Sequence, residues 1–203
     1  TSPAAQNHPP LMTVDEFIRW PGDGTGRTYE LVEGGLRAQD PASDAHGTIH
    51  SNLARLIGNH LVANRPGCRI VTAPGIQPRI RGQWNYRVPE LGVTCRPNRA
   101  DGHMTPDPIL LIEILSPTNE RDTWSNIALY ASLPSVVEIL IADSTDVAVQ
   151  ILRRNADGSW PQNPEPIDAG TTIPLASIGF ELPVSEIYRD TYLAGKGVAH
   201  DLT

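Results

Sequence analysis

Lysine is nearly missing from this chain: of its 16 basic residues only Lys196 is a lysine, and it stands in what reads as a C-terminal tail. Any site in the body of the chain must do without an ammonium group. Cysteine is scarce as well. Cys68 and Cys95 are too few for a disulfide scaffold and lack the four-ligand spacing of a zinc site, so a reducing, cytoplasmic setting is the expectation. Long apolar runs are absent: the best, Ile109 to Leu115 and Val136 to Ala142, are short and each holds a glutamate, which excludes a membrane-spanning helix and predicts a soluble protein. The stretch Thr1 to Pro10 has neither a basic leader nor an apolar segment, so nothing in it marks the chain for export.

What is present is a globular composition of 203 residues, 39% hydrophobic, with 19 Pro and 17 Gly that announce many turns. That length suits one core. A formal net charge of −7 disfavours a general nucleic-acid coat protein. The charge is unevenly spread, however. Between Arg65 and Arg99 lie Arg65, Arg69, Arg79, Arg81, Arg87, Arg96 and Arg99 against the single acid Glu90. Such a stripe either tracks phosphates or forms the solvated face of a sheet.

Periodicity and turn signals order the chain. Thr13 and Glu16 have the spacing of a capping box and open a short helix. Tyr29 to Val32 and Leu36 to Ala38 predict a hairpin through Glu33, Gly34 and Gly35. Ile49, Leu53, Leu56, Ile57 and Leu61 recur at helical spacing over 45–63, and Pro66 and Gly67 end that helix. Strands are predicted at 68–72, 76–80 and 91–95. Ile109 to Leu115 is the strongest strand, apolar enough to be covered on both faces. The helix predicted at 122–132 and the strand at 136–142 follow it, an order that makes the two strands parallel neighbours through a right-handed crossover. Residues 147–153 are expected to form an edge strand, and 183–192 a closing element. The expected organisation is a tail over 1–12, one mixed α/β domain over 13–192 and a tail over 193–203.

Two residues resist a purely structural account. Glu113 puts a carboxylate in the middle of an apolar strand, where its charge needs a cation or donors. The alternative is that it turns to the open end of the sheet and meets an arginine. Glu90 follows Pro89 and enters the strand Leu91 to Cys95, so a second carboxylate stands on a neighbouring strand. Two such acids and a backbone carbonyl make an oxygen-only site that suits Mg²⁺ or Mn²⁺, and such an ion polarises a phosphodiester.

The blocks Tyr29-Glu30-Leu31-Val32-Glu33-Gly34, His46 at a helix start, Arg87-Val88-Pro89-Glu90-Leu91, Pro106 to Ser116, Asp122 to Tyr130 and Glu138 to Asp143 resemble the Uma-two family. This family is restriction-endonuclease-like, with a PD-(D/E)xK nuclease core. The resemblance implies a mixed central sheet flanked by helices with an N-terminal hairpin. It implies Glu90 and Glu113 as metal ligands and catalytic acids, with Glu30 and His46 facing the same cleft. It also exposes a departure. The lysine expected two residues after the acid is Leu115, and its alternative position on the next helix, four residues beyond Asp122, is Asn126. His46, or an arginine such as Arg121 or one of the stripe, would have to stand in, and arginine does not readily give up its proton. Arg79, Arg81, Arg87 and Arg121 are the candidate contacts to nucleic acid. Two functions follow: a Mg²⁺- or Mn²⁺-dependent endonuclease-type phosphodiesterase acting on nucleic acid, with DNA as the expected partner, and weak because the lysine is missing, or a catalytically degenerate module that binds nucleic acid or protein. Analogy with restriction-type cores and a largely apolar edge strand predict a homodimer.

Overall fold

The computed structural model describes residues 11–100 and 102–196. The expected tail over 1–10 and its counterpart beyond 196 lie outside the described residues. Helix α1 (Val14–Arg19) opens on the capping box, with Thr13 and Glu16 each satisfying a backbone N–H of the other. Strands β1 (Tyr29–Val32) and β2 (Gly35–Ala38) form the hairpin. Its turn is the two-residue Glu33-Gly34, with φ of 52° and 84°, so Gly35 belongs to the strand and Glu30 pairs with Arg37. Helix α2 (Asp44–Asn64) is capped by Ser43, whose side chain accepts the His46 N–H.

The main sheet is built from β3 (Arg69–Thr72), β4 (Leu91–Thr94), β5 (Pro108–Leu115), β6 (Glu138–Asp143), β7 (Val149–Arg153) and β8 (Glu165–Ile167), in that order across the sheet. Only β5 and β6 run parallel, joined by α3 (Glu120–Tyr130) as crossover. Alternation along β5 splits the core in two. Leu110, Ile112 and Ile114 pack with α2, the hairpin β9 (Thr172–Leu175) with β10 (Phe180–Pro183), and α4 (Val184–Ile187). Leu111 and Leu115 pack with Ile127 and Tyr130 of α3 on the opposite face. Glu113, between them, projects to the α3 side.

Several expectations are corrected. Residues 76–80 are not a strand: Ile76 alone bridges to Arg87, because Pro74 and Pro78 beside it have no N–H to offer a ladder. β7 is not an edge, since β8 pairs with it along Val149 to Ile151, and this removes the bare strand on which the homodimer was argued. The β9–β10 hairpin was not anticipated; its strands are short and carry Pro174 and Pro183. Leu193, assigned to the tail, is buried in the core. Finally, Cys68 and Cys95 lie just beyond the Arg69–Thr94 pair and are joined as a disulfide, contrary to the reduced pair expected. None of the described helices is long and apolar enough to cross a membrane.

Candidate active site

Pairing places the two acids. Leu91 faces Ile112 in the antiparallel β4–β5 ladder, so one step further Glu90 comes opposite Glu113. Gly92 follows on the same side, packed so closely against Pro74 and Leu111 that a Cβ would come within 3.1 Å of them. Beyond the acids opens a cavity of about 730 Å³, lined by both of them and by Glu30, Arg37, His46 and Asn126. The ends of β5 and β6 supply Ser116 and Ser144 to its wall. Ligands of open α/β sheets sit at such carboxyl ends.

Each acid is held differently. Glu90 is fixed through its backbone, its carbonyl accepting the Ala73 N–H at 2.9 Å and lying 3.2 Å from His50 Nε2. Its Oε1 lies 3.0 Å from His46 Nε2, while His46 Nδ1 is buried without a partner. Glu113 is 5% exposed and accepts one hydrogen bond, from the Tyr130 hydroxyl at 2.7 Å. Burial pushes its pKa well above the usual carboxylate range; the Tyr130 bond opposes this, and the neighbouring Glu90 and Glu30 add to it. Burial and Glu113 likewise push the Tyr130 phenol well up.

Glu30 is a junction. Its Oε1 accepts the Val88 N–H at 2.8 Å and the Asn126 amide at 3.3 Å, and its Oε2 pairs with Arg37. It therefore ties the hairpin to the segment that delivers Glu90 and to α3. Arg37 also donates to Asn126 Oδ1 at 3.0 Å and pairs with Asp122 at 2.8 Å.

The structure thus gathers Glu30, His46, Glu90, Glu113 and Asn126 round one cavity. It does not bring the candidate nucleic-acid arginines there. Arg87 is 2% exposed and donates to the Leu31 carbonyl, so it cannot reach a phosphate. Arg81 is paired with Glu33 on the surface, and Arg79 and Arg121 are exposed, but none of the three lines the cavity. Lys196 sits over the Tyr192 ring, 4.9 Å from its centroid, and does not line it either. Two residues escaped the sequence reading. Arg37 was hidden by the extra turn residue assumed in the hairpin, which shifts the partner of Glu30. Tyr130 was readable in principle: Asp122, Asn126 and Tyr130 share one face of α3 at intervals of four.

Among the described residues no three His, Cys, Asp or Glu side chains form a cluster able to hold a metal by themselves. The pair Glu90 and Glu113 is too sparse for a closed zinc site. It fits Mg²⁺, which keeps several waters and takes one or two carboxylates. A buried carboxylate that has one donor, two like charges for neighbours and only the Arg37 guanidinium to offset them is a place where a further cation fits.

Comparison with known proteins agrees with this architecture. A family model, Uma2, described as "putative restriction endonuclease", matches residues 14–185. An uncharacterized protein of Synechocystis sp. is 30% identical over 182 residues, which cover 89% of this chain and 93% of the relative. The crystal structure of a "putative nuclease belonging to DUF820" from Anabaena variabilis superposes with a TM-score of 0.67 at 20% identity, over 87% of this chain and 97% of that one. At that identity the likeness establishes the fold. With a family model spanning nearly all of the described domain, the chain belongs to the Uma2 family and has its restriction-endonuclease-like fold.

Proposed function

We propose that the protein is a metal-dependent phosphodiesterase of the endonuclease type, acting on DNA, with Glu90 and Glu113 as the residues that hold Mg²⁺ or Mn²⁺. The observation that carries this reading is the pairing of Glu90 with Glu113 at the cavity floor, where burial and like charge leave Glu113 in need of a cation. The ion would polarise the phosphodiester and lower the pKa of a water. The chain's own residues do the rest. Tyr130 fixes one oxygen of Glu113, and His46 orients the Glu90 carboxylate. Glu30 locks the segment preceding Glu90, and the loop after β5 is held by Asn119, which accepts the Ser116 N–H at 2.7 Å and donates to the Ile114 carbonyl at 3.3 Å. A homodimer that cuts both strands of a duplex belongs to the same proposal.

A second reading has its own observation: Asn126 stands where the family's lysine would, and no lysine lines the cavity among the described residues. This is the catalytically degenerate module, binding nucleic acid or protein without turnover. One experiment separates the two. Mn²⁺ binding is followed by calorimetry, and nicking of supercoiled and single-stranded DNA is assayed with wild type and Glu113→Ala. The endonuclease reading expects Mn²⁺ binding and nicking in wild type, both lost in the variant. Bound Mn²⁺ without cleavage selects the module. Absence of Mn²⁺ binding removes the metal from the site altogether.

A further inference from the structure

We propose that Arg37 is the residue that grips the substrate phosphate in this cavity, a guanidinium delivered by the hairpin to the place beside Asn126. The inference rests on the nuclease reading and adds the group that reading lacks. The lining is strongly acidic, with Glu30, Asp40, Asp44, Glu90, Glu113 and Asp122, and among the described residues Arg37 is the one arginine or lysine in it. A polyanion entering such a cavity needs a cation to meet its phosphates.

The two sides of the guanidinium are bound unequally. Nε and Nη2 are committed to Glu30, whose side chain is 4% exposed and is itself held by Val88 N–H. Nη1 is bound to Asp122, whose side chain is 51% exposed. The first contact is a fixed anchor, because breaking a buried pair leaves a charge without compensation. The second is an ion pair in water, worth little and cheaply exchanged. A phosphate oxygen can therefore replace the Asp122 carboxylate on Nη1 while Glu30 keeps the guanidinium aimed. Arginine suits the task, since its planar fork matches phosphate and its charge does not depend on pH. In this arrangement Asp122 holds the position on Nη1 that a phosphate oxygen would take, and Arg37 is a phosphate-binding residue rather than a base.

The test measures binding of a fluorescein-labelled single-stranded oligonucleotide by anisotropy in EDTA, across a salt series, and nicking in Mn²⁺. Arg37→Gln keeps an amide donor for Glu30 but loses the charge. It is expected to bind about tenfold more weakly, with a salt slope smaller by about 1, and to nick roughly 100-fold more slowly. Adding Asn126→Lys to Arg37→Gln is expected to recover most of both losses. Arg19→Gln, on α1 and outside the cavity, is expected to bind as wild type does. An Arg37→Gln protein that is folded by circular dichroism and keeps wild-type affinity and slope overturns the proposal. Should that variant fail to fold, Asp122→Asn decides, because it frees Arg37 without removing it. A gain in affinity larger than that of Asp44→Asn, which takes the same charge from the cavity, supports the proposal, and an equal gain overturns it. Wild type that binds no oligonucleotide at all defeats the nuclease reading itself, an outcome distinct from wild type and Arg37→Gln binding equally well.

Discussion

Two glutamates lie buried at opposite ends of the β5–β6 strand pair, and their surroundings differ in kind. Glu138 begins β6, beside Leu110 of β5 and Arg153 of β7. Its two oxygens accept the Ala176 and Ser177 N–H groups at 3.0 and 2.9 Å, and Arg153 Nε lies 3.4 Å away. That charge is held by the turn between β9 and β10, which closes this end of the sheet, together with Arg153 of β7. Glu113, toward the other end of β5, has one hydroxyl donor, and its charged neighbours include Glu90 and Glu30. The same residue type is thus a structural clasp at the amino end of the pair and a sparsely satisfied carboxyl group, pushed towards its neutral form, at the carboxyl end. Carboxyl groups with such raised pKa values cluster at functional sites.

The strongest way to break this comparison is to remove the clasp. Glu138→Ala takes the acceptor from the Ala176 and Ser177 N–H groups and leaves Arg153 with Glu165 alone as its carboxylate partner, so we expect a loss of about 3 kcal/mol in urea unfolding, with Mn²⁺ binding unchanged at the far end. A loss under 1 kcal/mol would mean that water replaces the carboxylate and that the two sites are not opposites.

The second prediction inverts the sign. Because the folded-state pKa of Glu113 is raised, the folded protein holds this proton better than the unfolded chain does. Its contribution to stability is therefore full below the ordinary glutamate value of about 4.3 and is lost as pH rises towards the folded value. Glu113→Gln removes that titration. In metal-free buffer the variant should match wild type near pH 4 and exceed it at pH 8 by roughly 1–3 kcal/mol, the cost of a buried group left short of partners. Adding Mn²⁺ should stabilise wild type and leave the variant where it was. A constant difference across pH would show that Glu113 does not change its protonation in this range.

What the sequence disclosed follows the same division. The parallel β5–β6 pair, the α2 helix and the oddity of Glu113 all depend on local periodicity, which a sequence displays directly. The meeting of Glu90 with Glu113 needs only that neighbouring strands pair. Arg37 and the buried Arg87 depend on register and on bridges between distant segments. A one-residue error in the hairpin turn moves the partner of Glu30, and nothing local marks Arg87 as the donor to Leu31 rather than to solvent. The arginine stripe reads as one feature in sequence, yet Arg65 bonds the Ser177 carbonyl, Arg81 pairs with Glu33 and Arg96 with Asp107, so it is dispersed in space. Clasping by Ala176 and Ser177 was equally out of reach, because that turn lies far along the chain from Glu138.

The smallest expected effect sharpens the comparison at a single hydrogen bond. Tyr130→Phe deletes the one donor to Glu113 and leaves the ring in place among Ile127, Leu111 and their neighbours, so packing changes little. When Glu113 is protonated, the lost bond is one between neutral groups, and we expect about 1 kcal/mol near pH 4. When it is ionised, the lost bond is charge-assisted, and the cost should approach 2 kcal/mol at pH 8. Removing the donor also pushes the Glu113 pKa higher still, because the Tyr130 bond opposes the effect of burial. Denaturant unfolding of wild type and Tyr130→Phe across that range should therefore give curves that diverge as pH rises. The same substitution in a Glu113→Gln background should give curves that stay parallel. Divergence that persists without the carboxylate would place the sensitivity elsewhere in the cavity and would remove Tyr130 from the account of how Glu113 is held.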